Sequence, residues 1–245
     1  MELVRSLYVW LASAFLTIFV FLVQMTLLPF VLILDPDRKL FHLQCTWWAI
    51  QITRLNPKWK VIVSGREHLD PARAYVIVAN HQSLADIIVL FHLRTQFKWV
   101  AKETLFNVPA LGWCMSLAKY IRLTRGEFGS IKKVYREAAE WLRKGFSVAF
   151  FPEGTRSSTG QINDFKSGAF KLAIKEKKSI LPILIQGTDE VVPKGSWFFK
   201  EKVTVKITIL PPIDSTQFLP SEFNRLSQVT REVLDSRSTD AKPIN

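Results

Sequence analysis

Residues 75–86 read YVIVANHQSLAD, a short apolar run followed by a polar turn and the start of a second apolar segment. The first five residues do not alternate between apolar and polar side chains, which is typical of a strand buried on both faces of a parallel sheet. Ser83 is placed to cap a helix that follows the turn. The segment therefore predicts a strand–turn–helix unit of an α/β domain, with His81 in the turn.

His81 and Asp86 lie five positions apart in this unit. A histidine titrates near neutral pH and can abstract a proton, and an aspartate can orient its ring. On one continuous helix the two side chains would point about 140° apart and could not pair. A turn at Gln82 and Ser83 removes that obstacle, so we expect a catalytic pair with His81 as general base. Taken alone this motif is weak evidence, because short spacings of this kind also arise by chance.

The chain beyond residue 56 alternates strand-like and helix-like segments without internal repeats. Seven strands are predicted, at residues 58–64, 75–79, 97–101, 119–124, 146–151, 180–186 and 203–210. The last of them alternates in polarity, which favours an edge strand, and the strongest helical patterns cover residues 128–144, 166–178 and 221–236. This order predicts an α/β domain over residues 57–238, with a mostly parallel or mixed sheet flanked by helices and a frayed tail at 239–245.

The N-terminal 56 residues have a different composition. No charged residue occurs between Ser6 and Leu34, and this stretch is longer than the ~20 apolar residues that cross a bilayer as a helix. A second stretch at residues 40–55 is shorter and carries Trp47 and Trp48, which favours an amphipathic helix at the headgroup level, with a packed core helix as the alternative. We predict a two-helix membrane anchor over residues 1–56.

The chain is strongly basic, with 33 Lys and Arg against 21 Asp and Glu. This balance favours an anionic partner such as nucleic acid, an acidic membrane surface or a phosphorylated substrate. We expect no nucleic-acid partner, because the basic residues are dispersed and no known binding module is present. Cys45 and Cys114 lie far apart in unrelated contexts and predict neither a disulfide nor a thiolate metal site.

Residues 151–156 read FPEGTR and follow a predicted buried strand, where α/β proteins place ligand sites. Gly154 lets the backbone approach a ligand closely, Arg156 can hold a phosphate, and Glu153 can accept hydrogen bonds from a hydroxyl or steady a neighbouring arginine. An isolated turn of this composition is more often only a solvated ion pair.

Two further cations make a binding site more plausible than a solvated ion pair. Lys102 and Arg125 each follow a strand-like segment at the same inferred edge of the sheet as His81 and Arg156. Three cations that converge on one edge imply an anionic substrate, although each of them alone would be an ordinary surface charge.

Four blocks occur in a fixed order along the chain: His81 with Asp86, residues 120–125 (YIRLTR), residues 151–156, and residues 181–183 (LPI). In this order and spacing the chain resembles the glycerolipid acyltransferases, in particular the bacterial 1-acylglycerol-3-phosphate acyltransferases. The resemblance covers residues 75–187 strongly, and the FPEGTR block is its most specific part.

The resemblance implies transfer of a fatty acyl group from an acyl thioester to the sn-2 hydroxyl of lysophosphatidic acid, giving phosphatidic acid. His81 would act as base, oriented by Asp86, without a covalent acyl-enzyme. A backbone N–H near the His81 turn would stabilise the oxyanion. The substrate-binding set would comprise the phosphate-binding cations, the residues of the glycerol site and the pocket floor: Lys102, Arg125, Arg156, Glu153, Gly154, Thr155 and Pro182.

The resemblance also favours a helical hairpin embedded in one leaflet over a spanning helix. Residues 194–202 mix aromatic and basic side chains, and we predict that Trp197, Phe198 and Phe199 form a second membrane anchor, with a hairpin tip as the alternative. The charges that flank the apolar segments lean toward a catalytic domain on the cytoplasmic side of a bacterial inner membrane.

The acyl donor stays open between acyl-CoA and acyl carrier protein, and we expect no cofactor and no metal. Two other functions compete with this one. An acyltransferase for another lysolipid headgroup, such as lyso-ornithine lipid or lysophosphatidylglycerol, would use the same blocks. A membrane-anchored basic protein without activity would need the anchor and the charge, but not His81 and Asp86 together.

Overall fold

The computed structural model describes residues 1–124, 126–157, 161–192 and 196–240. Its helices are α1 (Glu2–Leu34), α2 (Lys39–Arg54), α3 (Ala85–Val89), α4 (Glu103–Phe106), α5 (Leu111–Leu117), α6 (Phe128–Arg143), α7 (Gly168–Glu176) and α8 (Phe223–Asp240). Its strands are β1 (Trp59–Ser64), β2 (Val76–Ala79), β3 (Phe97–Lys102), β4 (Ile121–Leu123), β5 (Ser147–Phe150), β6 (Ile180–Gln186) and β7 (Val203–Ile209). The α/β class and the seven strands are confirmed.

The strands form one mixed sheet in the order β1-β7-β6-β2-β5-β3-β4. Among the strands of the described residues, β6 pairs with β7 antiparallel and the other neighbours pair parallel. The carboxyl ends of β2, β3, β4 and β5 therefore lie at one edge of the sheet. The prediction that β7 is an edge strand is wrong, because β7 pairs with both β1 and β6. Its alternating polarity instead reflects one buried face and one open face.

Alternate residues of the strands enter two separate cores. On one face, Ile77 and Ile183 pack with residues of α2, α3 and α5 and with parts of α1. On the other face, Val76 and Val148 pack with residues of α6, α7 and α8. Successive side chains of a strand point to opposite faces of the sheet. One face therefore packs with the N-terminal helices, and the other packs with α6, α7 and α8.

Helix α1 is long and apolar enough to cross a membrane by length and composition. Most of its apolar side chains are exposed, and its few buried residues include Val9, Gln24 and Val31. Helix α2 buries one face, which includes Phe41 and Cys45, in the same core as the sheet. The predicted anchor therefore packs into the same core as the sheet. Helix α2 is a packed helix, as the alternative prediction had it, but it also has an exposed apolar face.

The aromatic residues predicted to anchor the protein fall into two groups. Trp47, Trp197 and Phe198 are exposed. Phe199 is only 9% exposed and packs against Trp10 and Trp59, so its assignment as a membrane contact is wrong.

Trp48 also belongs with the packed group. It is half-buried, and its Nε1 donates to Thr17 Oγ1 on α1 at 3.0 Å, which ties the two N-terminal helices together. The segment around Phe199 is fixed to α1 in a similar way, because Arg5 donates to the Phe199 carbonyl oxygen and Ser6 Oγ accepts its N–H.

Lys98, on β3, joins the N-terminal helices to the sheet. Its fully buried amine donates to the main-chain oxygens of Asp37 at 2.8 Å and Ala118 at 2.9 Å, and it lies 4.4 Å from the centroid of the Trp141 ring. Burial lowers the pKa of Lys98 to about 8, since the charged amine loses its hydration. The turn between α1 and α2 is therefore held by an amine whose charge is costly to bury.

We predict that Lys98→Met changes how stability depends on pH. Between the folded pKa of about 8 and the unfolded value of 10.5, the unfolded chain binds more protons than the folded chain, so stability rises with pH by at most ~1.4 kcal/mol per unit. This rise should be absent in Lys98→Met and kept in the exposed control Lys206→Met. Chemical unfolding in detergent between pH 7.5 and 10 measures it, and equal slopes for wild type and Lys98→Met would contradict the assignment.

Candidate active site

Asn80 fixes the chain at the point where β2 ends. Its Nδ2 donates to the Ile185 carbonyl oxygen at 2.8 Å, and its Oδ1 accepts the Ile185 N–H at 2.7 Å. The side chain thus continues the pairing of β2 with β6 beyond the last residue of β2, where the backbone turns away. In the sequence, only the position of Asn80 directly before His81 indicates a role for it.

The structure brings His81 and Asp86 together across the turn. His81 Nδ1 lies 2.8 Å from Asp86 Oδ2, and the aspartate is fully buried. The same oxygen accepts the N–H groups of Gln82 at 2.6 Å and Ser83 at 2.8 Å. Because a carboxylate only accepts, Nδ1 of His81 carries the proton in this pair, and in the neutral imidazole Nε2 then has the lone pair. The turn is thus folded around the carboxylate that orients the imidazole.

Glu153 supports His81 from the other side. Its Oε1 accepts the His81 N–H at 2.7 Å and its Oε2 accepts the Asn163 N–H at 3.0 Å. The residue is 4% exposed, and this burial raises the pKa of its carboxyl group. Both carboxylate oxygens bind backbone, which differs from the expectation that Glu153 shapes a glycerol site. Its position is that of a residue that holds His81 in place.

The backbone N–H groups at the His81 turn are already occupied. His81 donates to Glu153, and Gln82 and Ser83 donate to Asp86. Each of these three groups would have to break an internal hydrogen bond before it could stabilise an oxyanion. That a backbone N–H near the turn does so stays a prediction.

An aromatic stack covers one face of the histidine. The rings of His81 and Phe151 are nearly parallel, with centroids 4.2 Å apart, and Trp99 stacks behind Phe151 at 5.2 Å. Phe151 packs against the core that contains α2 and parts of α1. The imidazole therefore lies on the side of the sheet that carries the N-terminal helices. Phe151 opens the FPEGTR run, but the sequence does not indicate that its ring stacks on His81.

The predicted cations lie at the expected edge of the sheet, where β3 and β5 end. Lys102 and Arg156 are both exposed, and within the described part of the chain neither pairs with a carboxylate. Their charges are therefore available to an anion, while Arg125 lies outside the described residues.

Gly154 has a positive φ of 71° that favours glycine, and Thr155 beside it is exposed. A methyl group on Gly154 would come within 2.9 Å of the Lys166 side chain. Lys166 thus places a further positive charge beside the FPEGTR turn, a cation that no motif in the sequence had indicated.

Pro182 is placed differently from the prediction. It pairs inside the sheet with Val78, which lies three residues before His81. Its neighbours Leu181 and Ile183 face the core with α2, so Pro182 faces the opposite core. It can influence the site only through the backbone of β6.

The family model described as Acyltransferase matches residues 60–186 of this chain. The chain is 38% identical to the chloroplastic 1-acyl-sn-glycerol-3-phosphate acyltransferase of Arabidopsis thaliana over 77% of its own length. It spans about half of that plant relative, at 53%. It is 29% identical to the enzyme of the same name from Pseudomonas aeruginosa, over 89% of this chain and 86% of the relative.

The crystal structure of the 1-acyl-sn-glycerophosphate (LPA) acyltransferase PlsC from Thermotoga maritima superposes with a TM-score of 0.84 at 29% identity. The match covers 99% of this chain and 96% of that one, so it includes the N-terminal helices. Because the relatives come from a plant as well as from bacteria, the narrower resemblance to bacterial members is not confirmed.

We predict that Glu153→Gln destabilises the protein by about 1–3 kcal/mol, because the amide NH₂ cannot accept one of the two buried N–H groups. Glu190→Gln, at an exposed carboxylate, is the matched control and should change stability by less than about 0.5 kcal/mol. Chemical unfolding in detergent gives both values. A loss no larger for Glu153→Gln than for Glu190→Gln would contradict the positioning role.

Proposed function

Since this chain belongs to the acyltransferase family, we propose that it transfers a fatty acyl group from an acyl thioester to the sn-2 hydroxyl of 1-acylglycerol 3-phosphate, which gives phosphatidic acid. The observation that carries the proposal is the contact of His81 Nδ1 with Asp86 Oδ2 at 2.8 Å, which leaves Nε2 free to accept a proton. The names of the relatives support the choice of substrate.

In the proposed mechanism, Nε2 of His81 takes the proton of the hydroxyl as its oxygen attacks the thioester carbonyl. An ester C–O bond forms, the thioester C–S bond breaks, and the imidazolium returns the proton to the departing thiolate. Asp86 holds the tautomer and stabilises the imidazolium. No enzyme nucleophile is required, so the substrate hydroxyl takes the part that a serine plays in a hydrolytic triad.

The phosphate of the acceptor would lie at the carboxyl edge of the sheet, against Lys102 and Arg156. Their exposed and unpaired side chains support this placement. Lys166 would add a third positive charge beside Gly154. Arg125 is still predicted to bind the phosphate with them. A planar guanidinium can bind two phosphate oxygens at once, so Arg156 would set the orientation and the lysines would add charge.

We predict that His81→Ala lowers kcat by roughly 10²–10⁴-fold, the usual contribution of a general base. Asp86→Asn should also lower kcat, because an amide NH₂ facing Nδ1 favours the tautomer with its proton on Nε2. His68→Ala is the control and should retain activity, because this half-buried histidine follows β1, whose carboxyl end lies at the opposite edge of the sheet from that of β2. The assay is transfer to lysophosphatidic acid from an acyl thioester, and full activity in His81→Ala would refute the mechanism.

The acceptor is a membrane lipid, and several features support delivery from a bilayer. His81 and Phe151 lie on the sheet face that also packs with α1 and α2. We propose that α1 and the exposed face of α2 lie in one leaflet, with Trp197 and Phe198 as a second contact at headgroup depth. The charges that flank the helices favour a cytoplasmic catalytic domain, and for a bacterial source this would be the inner membrane.

We predict that Trp197→Ser/Phe198→Ser weakens partitioning into phospholipid vesicles several-fold, because both exposed rings are favoured at the interface. The control Leu219→Ser removes an apolar side chain that is 65% exposed just before α8, on the other layer. Vesicle flotation measures the effect. If the double variant partitions as well as the control, residues 197 and 198 do not contact the membrane.

A further inference from the structure

The segment that follows the FPEGTR turn has no secondary structure of its own. Residues 162–166 belong to no helix or strand, so tertiary contacts decide where they lie. The Ile162 side chain is 5% exposed and packs in the core that contains residues of α6, α7 and α8. The Lys166 N–H donates to the Pro152 carbonyl oxygen at 2.9 Å. The segment is thus fixed beside the turn that follows β5.

Arg231, on α8, holds this segment through its guanidinium. Its Nη2 donates to the Ile162 carbonyl oxygen at 3.1 Å, and its Nη1 donates to the Asp164 carboxylate. The arginine stands on a rigid support, because Thr230 beside it and Leu234 on the next turn are fully buried. Helix α8 therefore places a positive charge against a carbonyl group that lies 69 residues earlier in the chain.

The same peptide group makes the next contact toward the site. The carbonyl of Ile162 and the N–H of Asn163 belong to one planar trans peptide unit, so the two bonds point to opposite sides of it. The Asn163 N–H donates to Oε2 of Glu153 at 3.0 Å. A donor that fixes the carbonyl therefore also fixes the direction of the N–H. The positive charge polarises the peptide as well, which strengthens the bond that the N–H makes.

Glu153 joins this peptide unit to the histidine. Its other oxygen, Oε1, accepts the His81 N–H at 2.7 Å. The carboxylate is buried, so its orientation depends on its hydrogen bonds to the protein. Three hydrogen bonds of 3.1, 3.0 and 2.7 Å thus connect the guanidinium of Arg231 with the backbone of His81.

The ion pair with Asp164 does not explain this arrangement. The Asp164 side chain is 95% exposed, and an ion pair in water contributes little to stability. The bond from Arg231 to the Ile162 carbonyl is partly buried, and a charged donor makes a stronger hydrogen bond than a neutral one. The main effect of Arg231 is therefore on the orientation of the Ile162 peptide.

We propose that Arg231 is a positioning residue for His81 and acts through the Ile162 peptide and Glu153. The inference rests on the proposed function, because it adds a residue to the machinery that holds the base of that reaction. Without the guanidinium the peptide unit can rotate, and Glu153 loses a fixed partner. The backbone of His81 then samples more orientations, and fewer of them suit proton transfer.

The kinetic test is Arg231→Ala in the full-length chain in phospholipid vesicles, with lysophosphatidic acid and either palmitoyl-CoA or palmitoyl acyl carrier protein. We expect kcat to fall roughly tenfold, as for the loss of one hydrogen bond to a charged group, and KM to change less than about twofold. Arg231→Lys keeps a donor and should recover most of kcat. The control Arg225→Ala removes an arginine of the same helix that pairs with Glu222, and should leave both constants within about twofold.

A double variant separates the route through Glu153 from a general loss of stability. If Arg231 acts through Glu153, adding Arg231→Ala to Glu153→Gln should lower kcat by less than about twofold further. Asp164→Ala removes the exposed carboxylate but keeps the bond to the Ile162 carbonyl, so it should retain kcat. Independent losses in the double variant, or an equal loss in Asp164→Ala, would overturn the inference.

Amide hydrogen exchange tests the same inference without the reaction. Residues 80–83 should exchange faster in Arg231→Ala than in the wild type, while β6 exchanges at the wild-type rate. Unchanged exchange at residues 80–83, faster exchange across the whole domain, or a KM that rises at constant kcat would each contradict the positioning role. If the wild type transfers no acyl group, the proposed function fails, and exchange alone then decides whether Arg231 positions His81.

Discussion

The buried carboxylate of Asp86 holds together the turn that carries His81, and the arrangement of the candidate site depends on this turn. A single oxygen, Oδ2, binds Nδ1 of His81 and the N–H groups of Gln82 and Ser83. Removing a carboxylate from water is costly unless hydrogen bonds replace its hydration, and the turn supplies them to Oδ2 alone. The buried Oδ1 has no hydrogen-bond partner among the described residues. The contacts to Oδ2 also bend the chain, so the orientation of the His81 ring and the shape of the turn have one cause.

Two further side chains fasten this turn to neighbouring strands. Asn80 pairs with the backbone of Ile185 on β6, and Glu153, which follows β5, accepts the N–H of His81. His81 is thus held from both strands that flank β2 in the sheet. A histidine held in this way loses little conformational freedom when it binds a ligand, because its backbone is already fixed at the rigid end of a sheet.

The two faces of the sheet carry different environments. One face packs with α1 and α2 and carries the stack of His81 on Phe151, while the other carries the basic helices α6 and α7. The turn that carries His81 lies at the edge of the sheet that both layers share.

The sequence by itself determined the α/β class, the seven strands, the apolar N-terminus and the pairing of His81 with Asp86, because these depend on local periodicity and on short motifs. It could not determine the role of Glu153, the burial of Phe199 or the place of β7 inside the sheet. Those depend on which distant segments meet: Glu153 contacts a backbone 72 residues away, and Phe199 is buried by α1 from the far end of the chain. Alternating polarity shows that one face of a strand is open to solvent, but it does not show whether the strand has a neighbour on each side. Only the tertiary structure therefore decided the strand order.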